Sequence, residues 1–264
     1  MTKSSWLLVV FSIFCLSAIS MGDEMMARLT DKDVIALIKT IGEQEKKFER
    51  ALDSKFKRSI LRGPGGEVDV NTYLADLAEA IQQHGKRFTG SYAASTEATE
   101  VLRRADFMNS YIRKNPSMKG ANEWDVFGSG LQQLAAAYGT SFPLPDDAVI
   151  RRIGDGELAD AAADINKFSK SLEKSIGGQT RKNKALAEPV KSIKADLKIM
   201  ADLSKTLSSR IRSGKPASAE ARQLMEAVGR VDSLVRTEGM PDEVVSSWEA
   251  GAPSIRKVAQ AFSL

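Results

Sequence analysis

Histidine and cysteine, which most metal and thiol chemistry requires, occur once each in this chain of 264 residues. With His84 as the only histidine, the chain cannot supply a two-histidine metal site or a Cys-x-x-Cys-His haem attachment. A Ser–His–Asp triad would also have to use His84, and no serine lies in a G-x-S-x-G sequence. We therefore predict that His84 is a surface histidine late in a helix, and we expect no metal, no cofactor and no catalytic residue.

A regular row of basic residues is the clearest chemical feature of the sequence. Residues 181–215 hold ten basic and three acidic side chains, a net charge of +7, whereas the whole chain carries +4. Five of the basic residues recur at every seventh position and are called the basic row below: Lys184, Lys191, Lys198, Lys205 and Arg212. On a helix this spacing places the charges about 10 Å apart along one face.

Two interpretations of the basic row remain open. It is either a binding face for an anionic partner, such as lipid headgroups, an acidic polysaccharide or an acidic protein, or an ordinary solvated helix surface. Aromatic residues do not alternate with the basic ones, so we expect no nucleic acid as a partner.

The apolar residues of the same segment predict the helix that carries the row. They repeat at alternating steps of four and three, with Ser204 in the one polar place: Leu186, Val190, Ile193, Leu197, Met200, Ser204, Leu207 and Ile211. This 3.5-residue period is typical of antiparallel helical bundles. Elsewhere, spacings of three and four predominate and the eight prolines lie at breaks in the pattern. The fold class is therefore predicted to be all-α.

Internal similarity suggests a tandem duplication. Five blocks recur in the same order at offsets that grow from 115 to 124: 29–38 with 144–153, 46–53 with 166–173, 73–80 with 193–200, 94–115 with 217–238, and 131–138 with 255–262. Trp124 and Trp248 form a further pair, which we interpret as core anchors rather than as a sugar or lipid site. We predict two up-down four-helix bundles, residues 29–143 and 144–264.

The first twenty residues have the features of a secretory signal peptide. Lys3 precedes a short apolar run, and Ala18 and Ser20 occupy the small-residue positions of a cleavage site. Cleavage after Ser20 would remove Cys15, the only cysteine, so we expect no disulfides. The alternative is an uncleaved membrane anchor. We predict a periplasmic or secreted protein, and these residues do not distinguish the two locations.

Residues 37–142 resemble a segment of secreted bacterial helical-bundle proteins that have no assigned activity. The similarity rests on "KKFERALDSKFKRS", on the glycine-rich turn that follows, on "EVLRRADFMNSYIRKN" at 100–115, and on Trp124 with "LQQLAAAYGTSF" at 131–142. The second half keeps Trp248 but loses most of the Arg-Arg-Ala sequence. The resemblance implies an exported, bundle-forming bacterial protein and assigns no catalytic residues.

These observations lead to three functional hypotheses. The first is a non-enzymatic interaction or structural module of the bacterial cell envelope that contacts an anionic partner through the basic row. The alternative is a carrier of a small apolar ligand, held within one bundle or between the two. The third is an enzyme that works through carboxylates or serine alone, and it would require a polar cluster inside a pocket.

Overall fold

The computed structural model describes residues 28–63, 66–178, 183–237 and 239–264. The predicted signal peptide at 1–20, with Cys15 and Ser20, lies outside the described residues, and so do Arg181 and Lys182 of the basic segment. The described residues form ten α-helices, a 3₁₀ turn and a two-stranded hairpin, which confirms the all-α fold class. Among these helices, none combines the length and apolarity needed to span a membrane.

The first half of the chain places four long helices in a ring. Its elements are α1 (Asp31–Ala51), α2 (Ser54–Lys57), β1 (Ile60–Gly63), β2 (Gly66–Asp69), α3 (Val70–Arg87), α4 (Ser95–Lys114) and α5 (Ala121–Ala137). Helix α1 packs against α3 and α5, and α4 completes the ring between them. The two strands are antiparallel, with Ile60 opposite Asp69 and Gly63 opposite Gly66, and Pro64 and Gly65 of the predicted glycine-rich turn lie outside the described residues. Asp69 then caps α3 by accepting the N–H of Thr72.

The second half has a similar arrangement with a divided last helix. Its elements are α6 (Asp155–Ile176), a 3₁₀ turn (Lys184–Leu186), α7 (Ala187–Arg212), α8 (Ser218–Thr237), α9 (Asp242–Glu249) and α10 (Ala252–Phe262). Helix α7 packs against α6 and α8, and α9 and α10 each contact both of those helices. Between α9 and α10 lies Gly251, where a Cβ atom would come within 2.5 Å of the Phe168 ring. The short α2 and this division depart from the predicted four helices per unit.

The apolar interior consists of two clusters, one formed by residues between 34 and 142 and the other by residues between 153 and 262. Trp124 lies in the first cluster and Trp248 in the second, so both tryptophans are core residues, as predicted. The eight residues between Leu186 and Ile211 whose spacing predicted this helix, called the seam below, are all buried. In that seam the Ser204 hydroxyl donates to the Met200 carbonyl at 2.6 Å, which satisfies the one polar side chain.

The predicted pairing of 29–38 with 144–153 is wrong. Residues 144–153 lie outside any helix, whereas α1 begins at Asp31. The backbone donors of this segment are used elsewhere, because the Arg151 N–H donates to the Tyr138 carbonyl at 3.0 Å and the Arg152 N–H donates to Ser95 Oγ at 3.1 Å, so its apolar spacing does not produce a helix. The first helix after this segment is α6, and it begins at Asp155, which is 124 residues after Asp31.

The prediction of a surface position for His84 is also wrong, because its side chain is only 1% exposed. His84 lies one turn after Ile81 and two turns after Leu77, so it belongs to the buried face of α3. Its Nε2 atom is 2.8 Å from the Tyr138 hydroxyl, which donates its own hydrogen to the Ala93 carbonyl at 2.6 Å. Nε2 therefore carries the hydrogen and donates it to the Tyr138 hydroxyl oxygen. Because this hydrogen bond satisfies the imidazole N–H, His84 can be buried.

Candidate functional site between the two halves

The first turns of α1 and α6 are joined by reciprocal hydrogen bonds. The Asp31 backbone N–H donates to Asp155 Oδ2 at 2.8 Å, and the Asp155 backbone N–H donates to Asp31 Oδ2 at 2.8 Å. N–H groups in the first turn of a helix have no acceptor within the helix. Each carboxylate therefore satisfies a donor of the other helix and lies at the positive end of that helix's dipole.

Two arginines complete this junction in the same reciprocal way. Arg28 donates to Asp155 Oδ1 at 2.6 Å and to the Ile153 carbonyl at 2.7 Å. Arg152 donates to Asp31 Oδ1 at 2.8 Å and to the Leu29 carbonyl at 2.7 Å. We call Arg28, Asp31, Arg152 and Asp155 the arginine–aspartate cluster.

The side chains of the arginine–aspartate cluster are largely withdrawn from water. Arg152 is the most buried, with 2% of its side chain exposed. Burial lowers the pKa of the Arg28 guanidinium, and the neighbouring Asp155 carboxylate opposes that change. Two cations and two anions balance one another here. Sequence analysis missed the cluster, although its signal is present as "RLTD" at 28–31 and "RIGD" at 152–155.

A cleft of about 690 Å³ opens beside the arginine–aspartate cluster. Both halves of the chain line it: the end of α5 and the connection around 149–153 on one side, and the start of α8 and the end of α10 on the other. Arg28 and Arg152 also line the cleft. The junction that holds the two halves together therefore forms part of the cleft wall.

The lining of the cleft combines positive charge with apolar surface. Its four charged side chains are all arginines: Arg28, Arg151, Arg152 and Arg222. Arg28 and Arg152 are paired with carboxylates in the arginine–aspartate cluster, whereas Arg151 and Arg222 are exposed. Within the described residues, the guanidinium groups of Arg151 and Arg222 have no hydrogen-bond or ion-pair partner. Apolar lining comes from residues such as Leu29, Ile153 and Phe262.

The predicted basic row lies away from this cleft. All five of its residues are exposed, with Lys184 in the 3₁₀ turn and the other four on α7. Arg212 pairs with Asp160 at 2.6 Å, and Lys191 lies 3.8 Å from Glu188. The ammonium groups of Lys184, Lys198 and Lys205 have no partner in the described part of the chain.

Glu45 and His84 are two further buried ionisable side chains of the first half, and neither lines the cleft. Burial and the nearby Glu49 raise the pKa of Glu45 to about 7, and Glu45 Oε1 has no hydrogen-bond partner among the described residues. Burial lowers the pKa of His84 to about 4. Across residues 28–264, apart from the gaps stated above, no group of three or more histidine, cysteine, aspartate or glutamate side chains could hold a metal ion.

The chain was also compared with known proteins. No family model, no curated protein and no solved structure matches it.

Proposed function

We propose that this protein is an exported, non-catalytic binding protein of the bacterial cell envelope that holds a small ligand in the cleft between its halves. The observation that carries the proposal is the cleft itself, with a volume of about 690 Å³. Small-molecule sites commonly have volumes of about 300–1,000 Å³ and form where two structural units meet. Export and the envelope location rest on the predicted signal peptide.

The walls of the cleft support this proposal because they come from well-anchored elements. Arg152 is fixed by Asp31 and by the Leu29 and Ala137 carbonyls, and Arg28 is fixed by Asp155. A site with walls fixed in this way requires little ordering when a ligand binds, so more of the contact energy appears as affinity.

Native mass spectrometry of protein purified from its host would test the proposal. We expect an added mass under native conditions that disappears on denaturation. Ala136, an exposed residue in the cleft lining, offers a blocking variant, since Ala136→Trp would occupy part of the cleft and should reduce the added mass. Ala195→Trp, an equal change at an exposed position of α7 outside the lining, should retain it. Ligand-free protein from several growth conditions would count against the proposal.

The second candidate function is contact with an anionic membrane, polymer or protein through the basic row. It is favoured by the exposed and unpaired ammonium groups of Lys198 and Lys205. Cosedimentation with vesicles of anionic lipid at low salt should be lost when Lys191, Lys198 and Lys205 are all replaced by Glu. Reversal of the exposed Lys32 and Lys39 on α1 is the control and should have little effect. Wild-type protein that fails to sediment would remove this candidate.

The two units, 29–143 and 144–264, are in our proposal copies related by an offset near 124. In the arginine–aspartate cluster, Arg28 and Arg152 are separated by this offset, and so are Asp31 and Asp155. The tryptophans support it, because Trp124 Nε1 donates to Asn109 Oδ1 at 3.2 Å and Trp248 Nε1 donates to Asp232 Oδ1 at 2.8 Å. Buried residues of α1 and α6 correspond at the same offset: Val34 with Leu158, Ile38 with Ala162, Ile41 with Ile165, and Phe48 with Leu172.

A further inference from the structure

We infer that the ligand of the cleft is an amphipathic anion, in which an apolar body carries one carboxylate or phosphate head group. This inference rests on the proposed function and adds the chemical class of the ligand. Arg151 and Arg222 would receive the head group, and the apolar lining would receive the body.

The charge of the cleft points to an anion. Arg28 and Arg152 already have carboxylate partners in the arginine–aspartate cluster, and no aspartate or glutamate side chain lines the cleft. The unpaired side chains of Arg151 and Arg222 therefore carry a charge of about +2 that no lining aspartate or glutamate side chain neutralises. A concave, partly apolar site strengthens the attraction between such charges and an anion compared with open water.

The two free arginines lie on anchored backbone. The Arg151 N–H donates to the Tyr138 carbonyl at 3.0 Å, and the next residue is the buried Arg152. Arg222 lies one turn into α8, which begins at Ser218, and Ser218 also lines the cleft. A guanidinium group can donate two parallel hydrogen bonds to a carboxylate or phosphate, which makes arginine suited to both head groups.

The apolar lining distinguishes an amphipathic ligand from a simple inorganic anion. Val149 and Leu264 line the cleft with 75% and 42% of their surface exposed to water, and the half-buried Leu29 also lines it. Covering such side chains with an apolar body removes hydrocarbon surface from water, which is favourable by about 25 cal/mol per Å². Inorganic phosphate would satisfy the arginines but leave this surface uncovered.

Isothermal titration calorimetry with three ligands of equal chain length separates the contribution of the head group from that of the apolar body. The probes are dodecanoate, dodecyl phosphate and neutral dodecanol, each below its aggregation limit, with acetate and inorganic phosphate as short controls. We expect both long-chain anions to bind at least about tenfold more tightly than dodecanol, and the short anions to bind too weakly to measure. A difference between the two long-chain anions would identify the preferred head group.

Arginine variants connect the binding to the proposed residues. Replacing Arg151 and Arg222 together by Gln should weaken binding of the long-chain anions about tenfold or more and leave dodecanol binding unchanged. The same double change at Arg103 and Arg113, exposed residues of α4 outside the cleft, is the charge-matched control and should not alter binding.

The possible outcomes separate this inference from the proposed function. If dodecanol binds as tightly as the anions, or if the Arg151/Arg222 variant binds them normally, the inference is overturned while the cleft remains a ligand site. If no probe binds but native protein carries a cleft-dependent mass, the inference is again overturned and the proposed function stands. If no probe binds and the native protein carries no added mass, both are overturned.

Discussion

Glu45 and His84 show how single buried side chains make stability depend on pH in opposite directions. The pKa of Glu45 is about 7 in the folded protein against 4.5 ordinarily, so the free energy of unfolding falls as pH rises across that range. The pKa of His84 is about 4 against 6.5, so the free energy of unfolding falls as pH decreases from 6.5 to 4. Over most of the range between pH 4.5 and 6.5 the two effects oppose each other.

Replacing Glu45 by Gln should stabilise the protein above pH 7, because the variant has no carboxylate to ionise in the core. We expect the free energy of unfolding, measured by urea denaturation, to rise by about 1–3 kcal/mol at pH 8 and to change much less at pH 4. Glu43→Gln, at an exposed position of the same helix, is the control. If the free energy of unfolding rises equally at both pH values, or rises as much in Glu43→Gln, the raised pKa of Glu45 is contradicted.

The burial of His84 can be measured directly because it is the only histidine in the chain. A proton NMR titration of the untagged protein should follow its imidazole resonances without overlap. We expect a midpoint near pH 4, well below the ordinary value of 6.5, because protonation would place a charge in the core. A midpoint near 6.5 would show that the imidazole is accessible to water.

At the scale of elements, two glycines in helix interiors should respond oppositely to alanine. An alanine at Gly130 of α5 would place Cβ 2.5 Å from Gln44 Oε1 and 3.0 Å from Ile41 Cγ1, both on α1. At Gly229 of α8, no atom outside the helix's own backbone lies within 4 Å of the place that an alanine Cβ would occupy. Gly229→Ala should raise the free energy of unfolding by about 0.5–1 kcal/mol through helix propensity. Gly130→Ala should lower it by about 1–3 kcal/mol through overpacking.

Thermal or urea denaturation of the two glycine variants provides this comparison. Each variant serves as the control for the other, because the amino-acid change is the same and only the neighbours differ. Similar stabilisation of both variants would show that α1 and α5 are not packed as closely as described.

The elements that sequence analysis predicted well are those whose periodicity extends over many turns. Seven seam positions of helix α7 are in register with Leu186 of the preceding 3₁₀ turn, so one polar residue at Ser204 does not hide the pattern. Residues 144–153 are too few for their apolar spacing to separate a helix from an irregular connection. The contacts that hold this segment, from Arg151 to Tyr138 and from Arg152 to Ser95, are not visible in the local sequence. The burial of His84 depends on Tyr138, which lies 54 residues away in sequence, so no local pattern could predict it.

For the whole molecule, breaking the arginine–aspartate cluster should be strongly destabilising. Arg152→Ala would leave the Asp31 carboxylate without its arginine in a poorly hydrated site, and we expect a loss of about 3–5 kcal/mol in the free energy of unfolding. The control is Arg62→Ala, because the Arg62–Glu67 pair is exposed and such pairs contribute about 0–1 kcal/mol. Equal losses in the two variants would contradict a special role for the cluster.

The candidate site was beyond sequence analysis because it depends on how the two halves meet. Arg151 and Arg152 are neighbours of the same residue type, yet Arg152 is buried in the cluster and Arg151 is exposed in the cleft. Both belong to an irregular segment with no periodicity to distinguish them, so their roles separate only when the surroundings of each are known. Arg222 joins them from α8, about 70 residues further along the chain.

The reciprocal bonding around Asp31 and Asp155 has a consequence for chain connectivity. The contacts of Asp31 and Asp155 are reciprocal, as in the isologous interface that two identical subunits form about a twofold axis. We therefore expect the two halves to remain paired when the chain between them is cut. A protease site inserted after Asp147, in the exposed turn at 146–147, should yield two fragments that elute together in size-exclusion chromatography. Fragments that separate without denaturant would show that the tether, and not the interface, maintains the pairing.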